Sequence, residues 1–553
     1  MSREHDDIFK PSGETNPIDT DYILGQDNLL VSVGPFKFDI HNRVFTISGL
    51  SIIFFVIATL LFPSQAENLF SSMKGWIVSS LDWFFLISGN IFVLVSIFLI
   101  VSPLGKVRIG GTEATSEYGY TAWISMLFAA GMGIGLIFYG VAEPMTHFGT
   151  SLEGPLMANG VRNDWAPLAG AAGDMAGAES LGMAASFYHW GIHPWAIYSI
   201  LALALAVFSF NKGLPLTMRS IFYPILGERV WGWPGHIIDI SAVFATVFGL
   251  ATSLGLGSSQ ALSGLHSLFG IPQTETAQII LIVIIVSLAM ISVVAGLDSG
   301  VKRLSEFNMV LAVLALVFVV VAGPTWEIFS GFFDNLGAYV TNFIPLSNPV
   351  GREDLGFVQD WTSFYWTWWV ACAPFVGMFV ARISRGRTVR EFLLCAILIP
   401  SLVCCFWMTS FGGTAIHQYV VDGYQGVMDA DLSLKLFAMF DHMPFSEITS
   451  AVGVFLIIVF FITSSDSGSL VIDTLAAGGK VDAPTPQRIF WCIFSGLVAI
   501  ALMLGGGLEA AQAMTIATGF PFAVLMLFST FALVKGLMSE PRGEAPKKRA
   551  SAL

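Results

Sequence analysis

Charge is scarce in this chain. Only 12% of its 553 residues are Asp, Glu, Lys or Arg, about half the share of a soluble domain, and the mean hydropathy is +0.73. A soluble globular protein is excluded, and a polytopic membrane protein is predicted. Positive charge is scarcer still. The 26 Lys and Arg face 39 Asp and Glu, for a net charge of −13, so nucleic acid is disfavoured as a partner. The five cysteines (Cys372, Cys395, Cys404, Cys405 and Cys492) all fall in apolar stretches, where they read as packing residues rather than disulfides. Zinc-ligand spacing and a Gly-rich phosphate loop with its lysine are both missing, which argues against ATP-driven chemistry within this chain. The first 43 residues are polar and acidic with no apolar core. No cleaved leader is expected there, and the segment reads as a cytoplasmic arm without fixed structure.

Apolar runs, by contrast, are abundant. A bilayer-spanning helix needs ~20 mostly apolar residues, and twelve stretches qualify: 44–62, 82–104, 119–140, 182–210, 236–262, 276–296, 304–323, 360–382, 391–411, 448–473, 487–505 and 510–535. With the amino terminus inside, 22 of the 26 Lys and Arg fall in the termini and inside loops; only Lys74, Arg162, Arg352 and Lys435 lie outside. A wrong span count would scramble that alternation, so both termini are expected to be cytoplasmic. Two outside loops are long, at about 140–180 and 324–359. The second carries WEIFSGFFDNLGAYV, an amphipathic helix suited to the membrane surface or to a subunit contact.

Two spans carry helix interruptions. The third contains Gly131, Gly133 and Gly135 in alternation, each weakening a helix by about 1 kcal/mol relative to alanine and letting a ligand approach the backbone. The alternative is a close helix–helix contact, although such motifs usually space small residues by four. The eighth reads WTSFYWTWWVACAPFVGM, with Trp361, Trp366, Trp368 and Trp369 ahead of Pro374 and Gly377. Broken helices are tolerated at membrane depth only beside a cavity or within protein, and tryptophan faces attract cations most strongly where water is excluded. The two interruptions lie five spans apart, which fits two five-helix repeats with a transport site between them.

Further clusters add to this. In FYHWGIHPWAIY, helical spacing places Trp190, Trp195 and Tyr198 within an arc of about 140°, a possible wall of an aromatic cage; the alternative is an interfacial belt. His189 and His193 are four apart, but with no third ligand nearby they read as packing residues. The run FFITSSDSGS sets Thr463, Ser464, Ser465, Asp466 and Ser467 in an apolar helix. Its oxygens suit a hard cation such as sodium, against local bonding of the hydroxyls to the preceding turn. Glu143 and Glu179 read as pathway acids without an assigned role.

The motifs GMGIGLIFYGVAEP, FYHWGIHPW, TVFGLATSLGLG, FYWTWW…PFVGMFVARISRGR and FFITSSDSGS closely resemble the betaine–choline–carnitine transporter family over about residues 30–535. The resemblance implies an all-α protein of twelve transmembrane helices: a LeuT-like inverted repeat of five plus five, preceded by two extra helices and usually assembled as a homotrimer. The implied segments are a cytoplasmic arm (1–43), the two extra helices (44–118), the first repeat (119–323), the amphipathic helix (324–359), the second repeat (360–535) and a short cytoplasmic tail (536–553). It also implies that Trp190, Trp195, Tyr198 and Trp369 hold a quaternary ammonium, with Trp368 on the pathway and Gly131, Gly133 and Gly135 at the break. Ala129, Met132, Phe460, Thr463 and Ser464 match one sodium site, and Thr246 and Phe375 match part of a second. Three positions depart from family patterns. Cys372 replaces a tryptophan of the betaine box, Leu250 replaces a threonine of the second sodium site, and Gly135 stands where proton-coupled choline carriers have aspartate. The basic tail, with Lys547, Lys548 and Arg549, is much shorter than in osmosensing members.

Together these imply sodium-coupled uptake, across a bacterial inner membrane, of a zwitterionic quaternary ammonium or sulfonium solute such as glycine betaine or dimethylsulfoniopropionate. No cofactor is implied beyond sodium as the coupling ion. A proton-coupled choline carrier and a sodium-independent carnitine-type exchanger are the rival readings. A signalling receptor would need an attached output domain. A membrane enzyme would need clustered His, a Ser–His pair or paired acids, and the sequence shows only scattered candidates.

Overall fold

The computed structural model describes residues 10–131, 133–295 and 298–542. Among them, eleven helices are long and apolar enough to cross a membrane. The chain enters through a β-hairpin, β1 (Asn28–Val33) and β2 (Phe36–His41), then runs into α1 (Val44–Leu61) and α2 (Pro63–Val101). The third predicted span is a pair of helices, α3 (Tyr120–Gly131) and α4 (Ile134–Glu153). Gly133 is extended between them, at φ −140° and ψ 176°. Met132, expected at the sodium site, lies outside the described residues.

Four expectations need correction. The amino-terminal arm is structured from β1 onward, because its polar groups find partners on the membrane domain. Asn28 donates to the Ala477 carbonyl at 3.0 Å, and Lys480 lies 2.6 Å from Asp39. About half of the loop expected at 140–180 is helix, since α4 continues through Pro144 to Glu153 and α5 (Met175–Trp190) starts early. A two-residue hairpin, β3 (Met157–Ala158) with β4 (Val161–Arg162), lies between them. The fourth span, read as one helix, divides at Gly191 into α5 and α6 (Ile192–Ala206). The eighth span, read as broken, is unbroken: α11 (Ser363–Ile383) passes through Pro374.

Between these come α7 (Trp233–Phe269), α8 (Glu275–Ala295), α9 (Asp298–Ala322) and α10 (Thr325–Ser347). After α11 follow α12 (Val389–Val420), α13 (Ser446–Ala476), α14 (Thr485–Leu504) and α15 (Gly507–Met538). The expected amphipathic helix is α10. It buries Ile328, Asn335 and Tyr339 and exposes Trp326, Phe333, Val340 and Ile344. The interior is organised by α7, which packs on α13 and α15, and by α11, which packs on α6 and α15.

At one end of the bundle, residues near the first and last described positions meet. Lys212 is buried and lies 2.5 Å from Glu540, while also donating to the Asn16 carbonyl at 2.9 Å. Asn211 joins them, donating to Glu540 at 3.0 Å. His41 closes the hairpin and caps α1, its Nδ1 accepting from the backbone N–H groups of Arg43 and Val44. Burial first, then the charges of Arg219 and His236, push this imidazole down to about 3.

Candidate functional site

Pro194 cannot donate to the carbonyl one turn back, and Gly191, three residues earlier, supplies the freedom to turn there. A Cβ at Gly191 would lie 2.6 Å from the Phe187 carbonyl oxygen. The freed Ile192 N–H donates to the Tyr339 hydroxyl of α10 at 3.2 Å. The turn brings Trp190, at the end of α5, together with Trp195 and Tyr198 on α6. Opposite stands α11. Its preceding turn widens to π-helical geometry over Val358–Thr362, a distortion frequent at functional sites.

The rings meet in one cluster, all buried. Trp190 stands edge-on to Trp369 at 4.9 Å between centroids and 86°. Tyr198 meets Trp369 at 5.7 Å and 89°, and Trp195 meets Tyr198 at 5.5 Å and 74°. Trp368 stacks beside Trp369 at 5.4 Å and 20°. Such perpendicular arrangements are the favoured edge-to-face contacts between aromatic rings. The broken third span reaches the same place. A Cβ at Gly135 would lie 2.7 Å from Trp190 and 2.8 Å from Trp368, whereas Gly133 has open space. Cys372 sits on the α11 wall against α7, with its sulfur 3.2 Å from where a Cβ of Gly249 would be.

The family model for betaine/carnitine/choline transporters matches residues 43–542. The chain belongs to that family. A glycine betaine/proline/choline transporter of Vibrio parahaemolyticus is 67% identical over 535 residues, covering 97% of both chains. Glycine betaine transporter 1 of the same species is 50% identical, over 94% of this chain and 97% of that one. A glycine betaine transporter of Acinetobacter baylyi is 38% identical, over 90% of this chain and 74% of that one. Among solved structures, a manganese transporter of Eremococcus coleocola aligns at 12% identity with a TM-score of 0.40, over 77% of this chain and 81% of that one. As a member of the betaine/carnitine/choline family, the chain is a multi-pass membrane transporter and not an enzyme.

In this transporter the expected sodium residues that the structure describes lie on four helices, α3, α7, α11 and α13. Thr463 and Ser464 lie on an unbroken α13. The Thr463 hydroxyl donates to the carbonyls of Val459 and Phe460, both at 3.1 Å, the local bonding weighed from sequence. Its lone pairs stay free to accept a cation. Asp466 pairs with Arg488 at 2.8 Å, so its carboxylate belongs to an ion pair. Thr246 is buried and donates to the Ala242 carbonyl at 2.7 Å, and Phe375 is half-buried on α11. Leu250 offers no oxygen and presses on α13, its Cδ1 2.3 Å from where a Cβ of Gly468 would be. Ala129 is half-buried near the end of α3.

Several residues of the site were not singled out, or were given no role, from sequence. Glu143, on α4, is buried with Trp190 Nε1 at 2.7 Å and the Tyr365 hydroxyl at 2.5 Å on its Oε2. His189 Nδ1 lies 2.6 Å from its Oε1, and His147 Nε2 lies 3.3 Å from the same oxygen. His189 and His193 do not form a pair. His189 turns to Glu143 and Thr362, while His193 reaches Asn90 at 3.0 Å and stacks on Trp366. The Glu143/His147 spacing of four was the signal for the first contact. The contacts to α5 and α11 had none.

Proposed function

We propose that this transporter carries out sodium-coupled uptake of a zwitterionic quaternary ammonium or sulfonium solute, with glycine betaine first, by alternating access. The carrying observation is the perpendicular packing of Trp190, Tyr198 and Trp369. These rings can turn negative faces toward one onium group, with Trp195 and Trp368 beside them. The glycine betaine named for all three relatives supports this reading. The solute's carboxylate would meet backbone amides at the α3–α4 break, around Gly131, Gly133 and Gly135. Cys372, in place of a tryptophan, leaves one wall of the cage smaller. Choline and proline stay in view because the first relative is also named for them.

Sodium is read as the co-transported ion, held by backbone groups of Ala129 and Phe460, with Met132, and by the hydroxyls of Thr463 and Ser464. An all-oxygen set suits a hard cation. A second site at Thr246 and Phe375 is disfavoured by Leu250. A zwitterion gains nothing from the membrane potential by itself. One sodium ion contributes ~2.3 kcal/mol per 100 mV, roughly 40-fold accumulation at 1.4 kcal/mol per decade. The further reading is twelve spans in two five-helix repeats, with α3–α4 opening the first and α11 the second. On this reading both termini lie in the cytoplasm of a bacterial cell. The exposed face of α10 (Trp326, Phe333, Val340 and Ile344) fits a trimer contact.

The deciding experiment is uptake of radiolabelled glycine betaine into proteoliposomes with and without an inward sodium gradient. Unlabelled dimethylsulfoniopropionate, choline, proline and carnitine serve as competitors. Sodium-driven accumulation is expected, and it should weaken when Thr463→Ala and Ser464→Ala are combined. Exchange against preloaded solute without sodium would move the protein to the exchanger reading.

A further inference from the structure

Glu143 is an uncommon residue to find behind an aromatic cage. Its carboxylate is fully buried, and burying an unpaired charge there would be prohibitive. Three donors surround it instead. Indole Nε1 only donates, so Oε2 accepts from Trp190 at 2.7 Å, and the Tyr365 hydroxyl approaches the same oxygen at 2.5 Å. On the other oxygen, His189 approaches at 2.6 Å, and its far nitrogen is 2.9 Å from the Thr362 hydroxyl. The His189 backbone carbonyl in turn accepts from Trp369 Nε1 at 3.1 Å. One carboxylate therefore connects both walls of the cage by the polar edges of their rings.

Two effects follow. Charge-assisted hydrogen bonds are shorter and stronger than neutral ones, so Trp190 and Tyr365 are fixed in orientation. Hydrogen bonds in a low-dielectric interior also polarise one another. A carboxylate drawing on the indole N–H pushes electron density into the ring, and a more negative face attracts a cation more strongly.

We propose that Glu143 is a positioning and specificity-determining residue for the onium group of the transported solute: through Trp190 and Tyr365 it orients the cage and makes its ring faces more negative. This inference rests on the reading of the cage as an onium site. A metal bound by Glu143, His147 and His189, whose ligand atoms lie within 4.8 Å of one another, fits the geometry less well. Two tetrahedral ligands at about 2.0–2.1 Å from zinc stand roughly 3.3 Å apart, wider than the 2.6 Å between Glu143 and His189.

The test separates charge from shape. Glu143→Gln keeps the shape and loses the charge, whereas Glu143→Asp keeps the charge and loses a methylene. Glycine betaine dissociation constants are measured on the purified full chain by equilibrium binding. Weakening by about 10-fold is expected for E143Q and about 3-fold for E143D. The reverse order would mean that Glu143 only fills space, and equal affinities would mean that it has no role; either overturns the proposal. If E143Q does not fold, E143D alone must still bind more weakly than wild type. It must also lose less against 3,3-dimethylbutyrate, the carbon isostere whose tert-butyl group carries no positive charge, than against glycine betaine; equal losses overturn the proposal. Binding that needs zinc and disappears with a chelator would also overturn it. Trp369→Ala serves as the control on the cage itself. If it leaves glycine betaine binding unchanged, the cage reading fails; if it weakens binding while E143Q does not, only the role of Glu143 fails.

Discussion

The two walls of the cage are built by helices that treat proline in opposite ways. Pro194 follows a break at Gly191, while Pro374 sits inside an unbroken α11. Each proline removes a donor and crowds the preceding turn, so the proline itself is not the difference. Three residues upstream stands Gly191 in one case and Ala371 in the other. At Gly191 the backbone reaches φ −93° and ψ −126°, and Tyr339 from α10 takes the freed N–H. At Pro374 the preceding residues are Ala371, Cys372 and Ala373, all compatible with a helix, and packing on α6 and α15 holds the turn together. A proline breaks a buried helix where a glycine gives the chain an exit and a neighbour satisfies what the exit frees.

Gly191→Ala attacks the broken wall directly and carries the largest expected effect. Its methyl group would meet the Phe187 carbonyl, and overpacking of about 1–3 kcal/mol would shift Trp195 and Tyr198 away from Trp369. Glycine betaine uptake should fall by roughly 10-fold or more, at an expression level checked in the membrane fraction. Trp369→Ala removes the shared ring of both walls. Its dissociation constant should rise by at least about fivefold, the equivalent of ~1 kcal/mol of cation–π attraction; unchanged binding would disconnect the walls from the solute. Pro374→Ala should change uptake by less than about twofold and leave thermal stability equal or higher, because α11 is already helical there. A large loss would mean that the unbroken wall opens during transport.

The smallest effect on affinity is expected far from both walls, at His41. Its pKa is lowered in the folded protein, so the unfolded chain takes up the proton first. Stability is therefore greatest above about pH 6.5 and is lost as pH falls toward about 3, by up to ~1.4 kcal/mol per unit. His41→Gln should flatten that slope in thermal melts of the detergent-solubilised protein and leave glycine betaine affinity unchanged.

Apolar length alone located most of the membrane helices, because a run of ~20 apolar residues has few other uses. The glycines of the third span marked its break: Gly133 is extended between the two helices, and Gly135 leaves room for Trp190 and Trp368. The division at Gly191 was hidden because apolar character continues across it from Phe187 to Ile200. The hairpin was hidden by polarity, although LLVSV and FKFDI around Gly34 have the length of strands. Helical spacing related Trp195 to Tyr198 on α6, but the arc that took in Trp190 assumed a helix continuous through Gly191. The Glu143 network was not legible: its partners stand 46, 47 and 222 residues away, and only packing brings α4, α5 and α11 together.

The pairing of Lys212 with Glu540 bears on how the protein is made. Their positions differ by 328 residues, and synthesis proceeds from the amino end. Throughout the insertion of α7 to α15, the Lys212 ammonium has no Glu540 to meet and must stay hydrated or be held by another partner. Only when α15 is in place can Glu540 dock, with Asn211 and the Asn16 carbonyl beside it. A chain cut short after α14 would leave the Lys212 ammonium without its carboxylate partner, so this end of the bundle is completed last.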